Sequence, residues 1–243
     1  MLNKKVLSVA IAAALAGGLS ATPAQAAPEV SGNVALTTDY RFRGISQSDE
    51  SVAVQGGFDL GFENGIYIGT WGSSVDFDTN GDGFDGSLEL DYYAGWAGDI
   101  GDSGFGIDVG YYYYDYPGDD DAEGDYQEFA VGLSFADLGV TVVYSDDYYG
   151  ETDEYWYVAG DYSISLSDSF SIGLHVGYNM LEEDGGFLSS DEDAYTDYSV
   201  TGTYSVAGVD LSLAYVGTDL DDDDVFGTDW ADDTVVFTIA KSL

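Results

Sequence analysis

Downstream of Asn33 the chain repeats one pattern: apolar side chains at every second position, with turn-forming residues between the runs. Val34, Leu36, Thr38, Tyr40 and Phe42 share one parity, with Asp39, Arg41 and Arg43 on the other. After a polar break, Val52, Val54, Phe58, Leu60 and Phe62 repeat it, with Gln55 and Asp59 opposite. Successive side chains of a strand point to opposite sides, so this periodicity predicts strands with one greasy and one polar face. Twelve are expected, at 33–46, 52–62, 66–77, 87–97, 104–115, 126–135, 138–146, 154–165, 170–179, 194–206, 209–217 and 233–243. The greasy parity is read through Tyr67, Trp71, Val75 and Phe77, then Leu88, Leu90, Tyr92 and Trp96, and so on to Val235, Phe237 and Ile239.

A soluble β-sandwich alternates in the same way. The connections separate the two. Glu63-Asn64-Gly65, Ala136-Asp137, 166–169 and Ala207-Gly208 are short, and 98–103 is modest. Between them lie longer acidic runs at 78–86, 116–125, 147–153, 180–193 and 218–232, with 47–51 a short member of that set. Short turns on one rim and long loops on the other are the mark of a bacterial outer-membrane barrel. Tyrosine and tryptophan near the strand ends fit aromatic girdles, and the small polar residues of the opposite face fit a lumen. The expectation is therefore an all-β fold: one closed antiparallel transmembrane barrel of about twelve strands, with short periplasmic turns and longer acidic extracellular loops. Its greasy face would meet lipid and its polar face would enclose water. Closure satisfies every backbone group, which hydrocarbon requires.

The first 26 residues read as a secretory signal peptide: Lys4 and Lys5, an apolar run from Val6 to Leu19, and Ala24-Gln25-Ala26 before the cut. Residues 27–243 would then form the barrel domain. The sequence has no cysteine, so disulfides play no part. Its formal net charge is −41, which repels nucleic acid and attracts cations. Past the leader, basic residues reduce to Arg41, Arg43 and Lys241. Lys241 shares the lipid-side phase, but near the chain end it can snorkel to headgroups. The expected surroundings are outer-membrane lipid, lipopolysaccharide and the barrel-insertion machinery, which would read the alternating last strand.

Arg41 and Arg43 stand two apart and so are expected to face the lumen from the first strand. Facing carboxylates are Asp39, Asp59, Asp76, Glu89, Asp91, Asp108, Glu128, Asp161, Asp197 and Asp210. Two readings fit. The arginines set up a transverse field that sorts ions, as charged rings do in channels, or they form structural ion pairs in a narrow lumen. His175, the single histidine, shares the lumen parity with Asn179. A hydrolase would need Ser171 or Ser199 within its reach, and nothing else supports one. No catalytic residues are assigned. Residues 78–89 match a calcium-loop pattern through Asp78, Asn80, Asp82, Gly83 and Glu89, without flanking helices. Calcium is a candidate there, a plain acidic loop the alternative, and no other cofactor is implied.

Residues 33–77, with the YRFRGISQ stretch at 40–47 as the specific part, resemble the TorF family of proteobacterial outer-membrane porins, as does LELDYYAGWAGDIG at 88–101. The likeness continues more loosely through YYYYDYPG at 111–118 and the closing strand. The resemblance implies a Gram-negative outer-membrane location and a channel role, without a substrate. The functional expectation is passive diffusion of small hydrophilic solutes or ions, with a preference for cations. The alternative is a non-conducting barrel that displays acidic, divalent-cation-binding loops.

Overall fold

The computed structural model describes residues 28–77, 86–118, 124–182 and 186–243. The leader and the calcium-loop residues Asp78, Asn80, Asp82 and Gly83 lie outside them. Twelve antiparallel strands form the wall: β1 (Glu29–Thr37), β4 (Ala53–Gly61), β5 (Ile66–Ser74), β6 (Leu88–Asp99), β7 (Phe105–Asp115), β8 (Tyr126–Phe135), β9 (Leu138–Ser145), β10 (Tyr155–Ser167), β11 (Phe170–Leu181), β12 (Ala194–Val206), β13 (Val209–Thr218) and β14 (Thr234–Ser242). Each pairs with its neighbour in sequence, and β1 pairs with β14 to close the barrel. Two further short strands, β2 (Arg41–Phe42) and β3 (Ile45–Ser46), pair only with each other. A ten-residue strand rises about 33 Å. At a tilt of about 40° it spans about 25 Å, the height of an outer-membrane apolar band.

The outside is greasy all round. Phe58, Phe129, Val176, Leu213 and Val235 are each more than half exposed, and every wall strand contributes exposed large apolar side chains. A belt this continuous far exceeds what water tolerates on a monomer, and acyl chains are its solvent. Trp96 donates its indole N–H to the Asn64 carbonyl at the short-turn rim (2.8 Å). At the other rim Tyr113, Tyr144 and Tyr198 donate hydroxyl hydrogen bonds to Asp125, Glu154 and Asp233. These are the two aromatic girdles. Asp233, outside the span, also accepts from Tyr215, and the two hydroxyls hold its carboxyl below the usual carboxylate range. Lys241 lies outward at the short-turn rim, with Nζ 3.4 Å from the Gly208 carbonyl.

Two expectations are corrected. The first strand ends at Thr37, not at residue 46, so Tyr40 and Phe42 leave the lipid side altogether; Tyr40 is 2% exposed. On β5 the two faces are exchanged. Residues directly opposite in a ladder share a face, and Leu60 stands opposite Ile68. Ile66 and Ile68 are therefore outside, while Tyr67 and Trp71 point inward. Val75 is buried and Phe77 packs against the inner clusters. The inward rings fit because their neighbours have no side chain. A Cβ on Gly95 would stand 2.3 Å from the Tyr67 ring, and one on Gly69 would stand 2.4 Å from the Tyr93 ring. Gly95→Ala is expected to destabilise the barrel by about 1–3 kcal/mol through overpacking. Gly160→Ala, where nothing lies within 4 Å of the new Cβ, serves as the silent control. Urea unfolding of the two refolded barrels compares them; equal midpoints would remove the interlock.

Candidate functional site

Between β1 and β4 the chain does not simply turn. Residues 39–48 dip into the barrel, and β2 and β3 form a two-stranded hairpin there. Its loop is Arg43-Gly44, with φ of +49° and +87°. Positive φ at both positions is the signature of the tight hairpin turn that matches strand twist. A polar knot holds the base. Asp39 accepts hydrogen bonds from the Ser46 (2.7 Å) and Ser48 (3.3 Å) hydroxyls and the Arg41 Nε (2.5 Å). Arg41 also meets Glu50 at 3.1 Å and donates to the carbonyls of Gly44, Trp230 and Asp232. The indole of Trp230 donates to Asp49 (2.9 Å), which ties the last long loop to the hairpin.

Arg43 occupies the tip. Its Nη1 and Nη2 donate to the two carboxylate oxygens of Glu128 on β8, at 2.7 and 2.9 Å. Nη1 also donates to the Tyr148 hydroxyl at 3.2 Å. The guanidinium carbon lies 4.5 Å from the centre of the Tyr157 ring, 4.9 Å from Tyr155 and 4.6 Å from Phe42. A fork-on-fork ion pair walled by aromatic faces is the geometry that guanidinium groups favour. The arginines therefore do not project from the first wall strand. Both are carried on the inserted hairpin, buried and paired.

Around the tip, aromatic rings pack into the long-loop half of the barrel. Tyr114 stacks on Tyr126 at 4.4 Å, and Tyr148 stacks on Tyr155 at 3.9 Å. With Ile45, Tyr195, Leu220 and Trp230 they belong to one buried cluster. The half expected to hold water thus holds an aromatic layer. The signal for it lies on the opposite parity: Tyr155 and Tyr157 flank the lipid-facing Trp156, and Tyr112 and Tyr114 alternate with Tyr111 and Tyr113. Phenol rings suit an interior that offers their hydroxyls acceptors: Tyr114 donates to Glu128 (3.0 Å) and Tyr155 to the Asn179 side-chain oxygen.

The other candidate residues divide. Asp59 accepts from Tyr93 (2.5 Å) and Asp108 from Tyr67 (2.7 Å), both inside the wall. Glu89 and Asp91 are buried on β6, and Glu89 accepts from the Tyr40 hydroxyl (3.1 Å). Asp76 is not in the lumen. It lies past the end of β5, exposed, and bridges Ser48 at the base of the hairpin. His175 on β11 stands between two carboxylates, with Nδ1 2.8 Å from Asp161 and Nε2 2.9 Å from Asp197; the Tyr157 hydroxyl is 3.0 Å from Nε2. Both ring nitrogens thus face acids rather than Ser171 or Ser199.

Below the hairpin the barrel is hollow. A cavity of about 770 Å³ runs from the tip, at Arg43 and Glu128, past His175 to Asp137 and Asp210 near the short-turn rim. Its walls are mostly Ser, Thr, Ala and Gly from β9 to β14 and β1. A closed barrel, greasy outside, with a carboxylate-bordered vestibule beneath an inner hairpin, is the geometry to be matched.

The family model described as "Bacterial protein of unknown function (Gcw_chp)" matches residues 21–243. The chain belongs to the Gcw_chp family. Among solved structures, the KdgM porin superposes with a TM-score of 0.55 at 9% identity, over 87% of this chain and 97% of that one. The NanC porin gives 0.52 at 12% identity, over 87% and 98%. A KdgM porin in complex with disordered oligogalacturonate gives 0.51 at 10% identity, over 88% and 96%. At these identities the likeness is one of fold, and the fold is that of porin barrels. No curated protein sequence matches the chain.

Proposed function

We propose that this chain is a Gram-negative outer-membrane channel, passing small hydrophilic solutes or ions by diffusion and preferring cations. The observation that carries the reading is the carboxylate-bordered cavity that opens beneath the hairpin. The porin fold supports it, as does the resemblance of residues 40–47 to the TorF porins. The cation preference rests on the charge of the lining. Asp39, Glu128, Asp137, Asp161, Asp197 and Asp210 border the cavity, against Arg41, Arg43 and His175. Each arginine is already matched by a carboxylate, so the residual field is negative. Low-dielectric walls focus such a field. In this reading outer-membrane lipid and lipopolysaccharide surround the wall, and β14 with Val235, Phe237 and Ile239 is presented to the insertion machinery.

Planar-bilayer recording tests this. Discrete conductance steps are expected, with a reversal potential in a potassium chloride gradient shifted toward the potassium equilibrium value. Anion preference would remove the electrostatic part. The packed tyrosine layer favours a second reading, a barrel that does not conduct and displays its acidic loops to divalent cations. Silence from folded, heat-modifiable protein, in the wild type and with the hairpin unseated, would select it.

A further inference from the structure

The seat of Arg43 has the make-up of a receptor. Remove the hairpin from view and the rest of the protein still presents a carboxylate able to accept two parallel N–H bonds, Glu128, 2% exposed. Beside it stand the rings of Tyr155 and Tyr157 on β10 and the hydroxyl of Tyr148. Glu128 and Tyr157 line the cavity, so a solute entering from the short-turn rim meets this cage at its upper end. We propose that the cage is a binding site for guanidinium-bearing solutes, and that Arg43 occupies it as a tethered stand-in that such a solute displaces.

The chemistry restricts the class. A bidentate carboxylate fits a planar fork of N–H donors, and aromatic faces at 4.5 to 4.9 Å favour a flat, weakly hydrated cation over potassium or a compact ammonium. Anionic solutes are repelled by the Glu128 carboxylate, and neutral ones forgo the charge-assisted pair. Tethering gives Arg43 a high local concentration, so a free solute competes poorly against the intact hairpin. The site is therefore tested with the tether's own charge removed.

Refolded Arg43→Ala protein in detergent is titrated calorimetrically with millimolar methylguanidinium, with potassium chloride as the ionic control. Saturable binding of methylguanidinium is expected, and Arg43→Ala/Glu128→Gln should weaken it roughly tenfold to a hundredfold, as loss of a charged hydrogen-bond partner does. Heat-modifiable migration confirms the fold of each variant. Folded Arg43→Ala protein that does not bind methylguanidinium, or binds it equally well with Glu128→Gln, overturns the site. If Arg43→Ala does not fold unaided, refolding yield with methylguanidinium against equal potassium chloride becomes the readout. Rescue supports the cage and its absence overturns it. Neither readout involves conductance, so the site and the channel role stand or fall separately.

Discussion

Gly44→Ala is expected to open the barrel, raising single-channel conductance several-fold over the wild-type protein. Gly44 sits at the deepest point of the hairpin, with φ of +87°. A side chain in that region is strained by about 1–3 kcal/mol. The new Cβ would also stand 2.3 Å from Thr218 Cγ2, 3.1 Å from Asp197 Cβ and 3.2 Å from the Gly217 carbonyl. Two of these neighbours are wall backbone or attached directly to it, so the hairpin must yield. Its anchors, such as Arg43 to Glu128 and Trp230 to Asp49, are hydrogen bonds outside the wall ladder, so withdrawal toward the long-loop rim leaves the twelve-strand ladder intact. Gly101→Ala separates strain from overlap. It too has positive φ, +55°, but nothing within 4 Å of the new Cβ, and it lies at the opposite rim. Gly101→Ala should conduct as the wild type does. If Gly44→Ala folds and conducts no better than Gly101→Ala, the hairpin is not what closes the pore.

Glu128→Ala should give the largest loss of stability. The Arg43–Glu128 pair is buried, with side chains 7% and 2% exposed. Truncating one partner leaves a buried charge uncompensated, at a cost of about 3–5 kcal/mol. Tyr114 loses an acceptor as well. The double variant Arg43→Ala/Glu128→Ala removes the stranded charge and should recover much of that loss, a coupling that a double-mutant cycle measures. Urea unfolding in lipid vesicles, followed by tryptophan fluorescence, reads both. A double variant as unstable as the sum of the singles would mean the two side chains act independently.

The wall was legible because its rule is local. Alternation along a strand needs only the neighbouring residues, and the contrast of short turns with long acidic runs orders the strands without any distance information. On β5 that local rule fails. Tyr67 and Trp71 look like lipid-facing aromatics when the strand is read alone. Only the pairing of Leu60 with Ile68, and the empty space over Gly95, decide that they point inward. The calcium-loop residues Asp78, Asn80 and Asp82 belong to a segment outside the described residues, whereas Glu89 of the same pattern lies inside the barrel.

The sequence by itself determined a twelve-strand membrane barrel, because hydrocarbon on one side imposes a period of two on every strand. It also determined that the carboxylates of the wall strands lie on the non-lipid side. Tertiary structure alone decided where the first strand stops and that residues 39–48 turn into the lumen. Arg43 is separated from Glu128 by 85 positions and from Tyr148 by 105. No local pattern encodes a partner at that range; closing the sheet brings the carboxylate and the rings to one point.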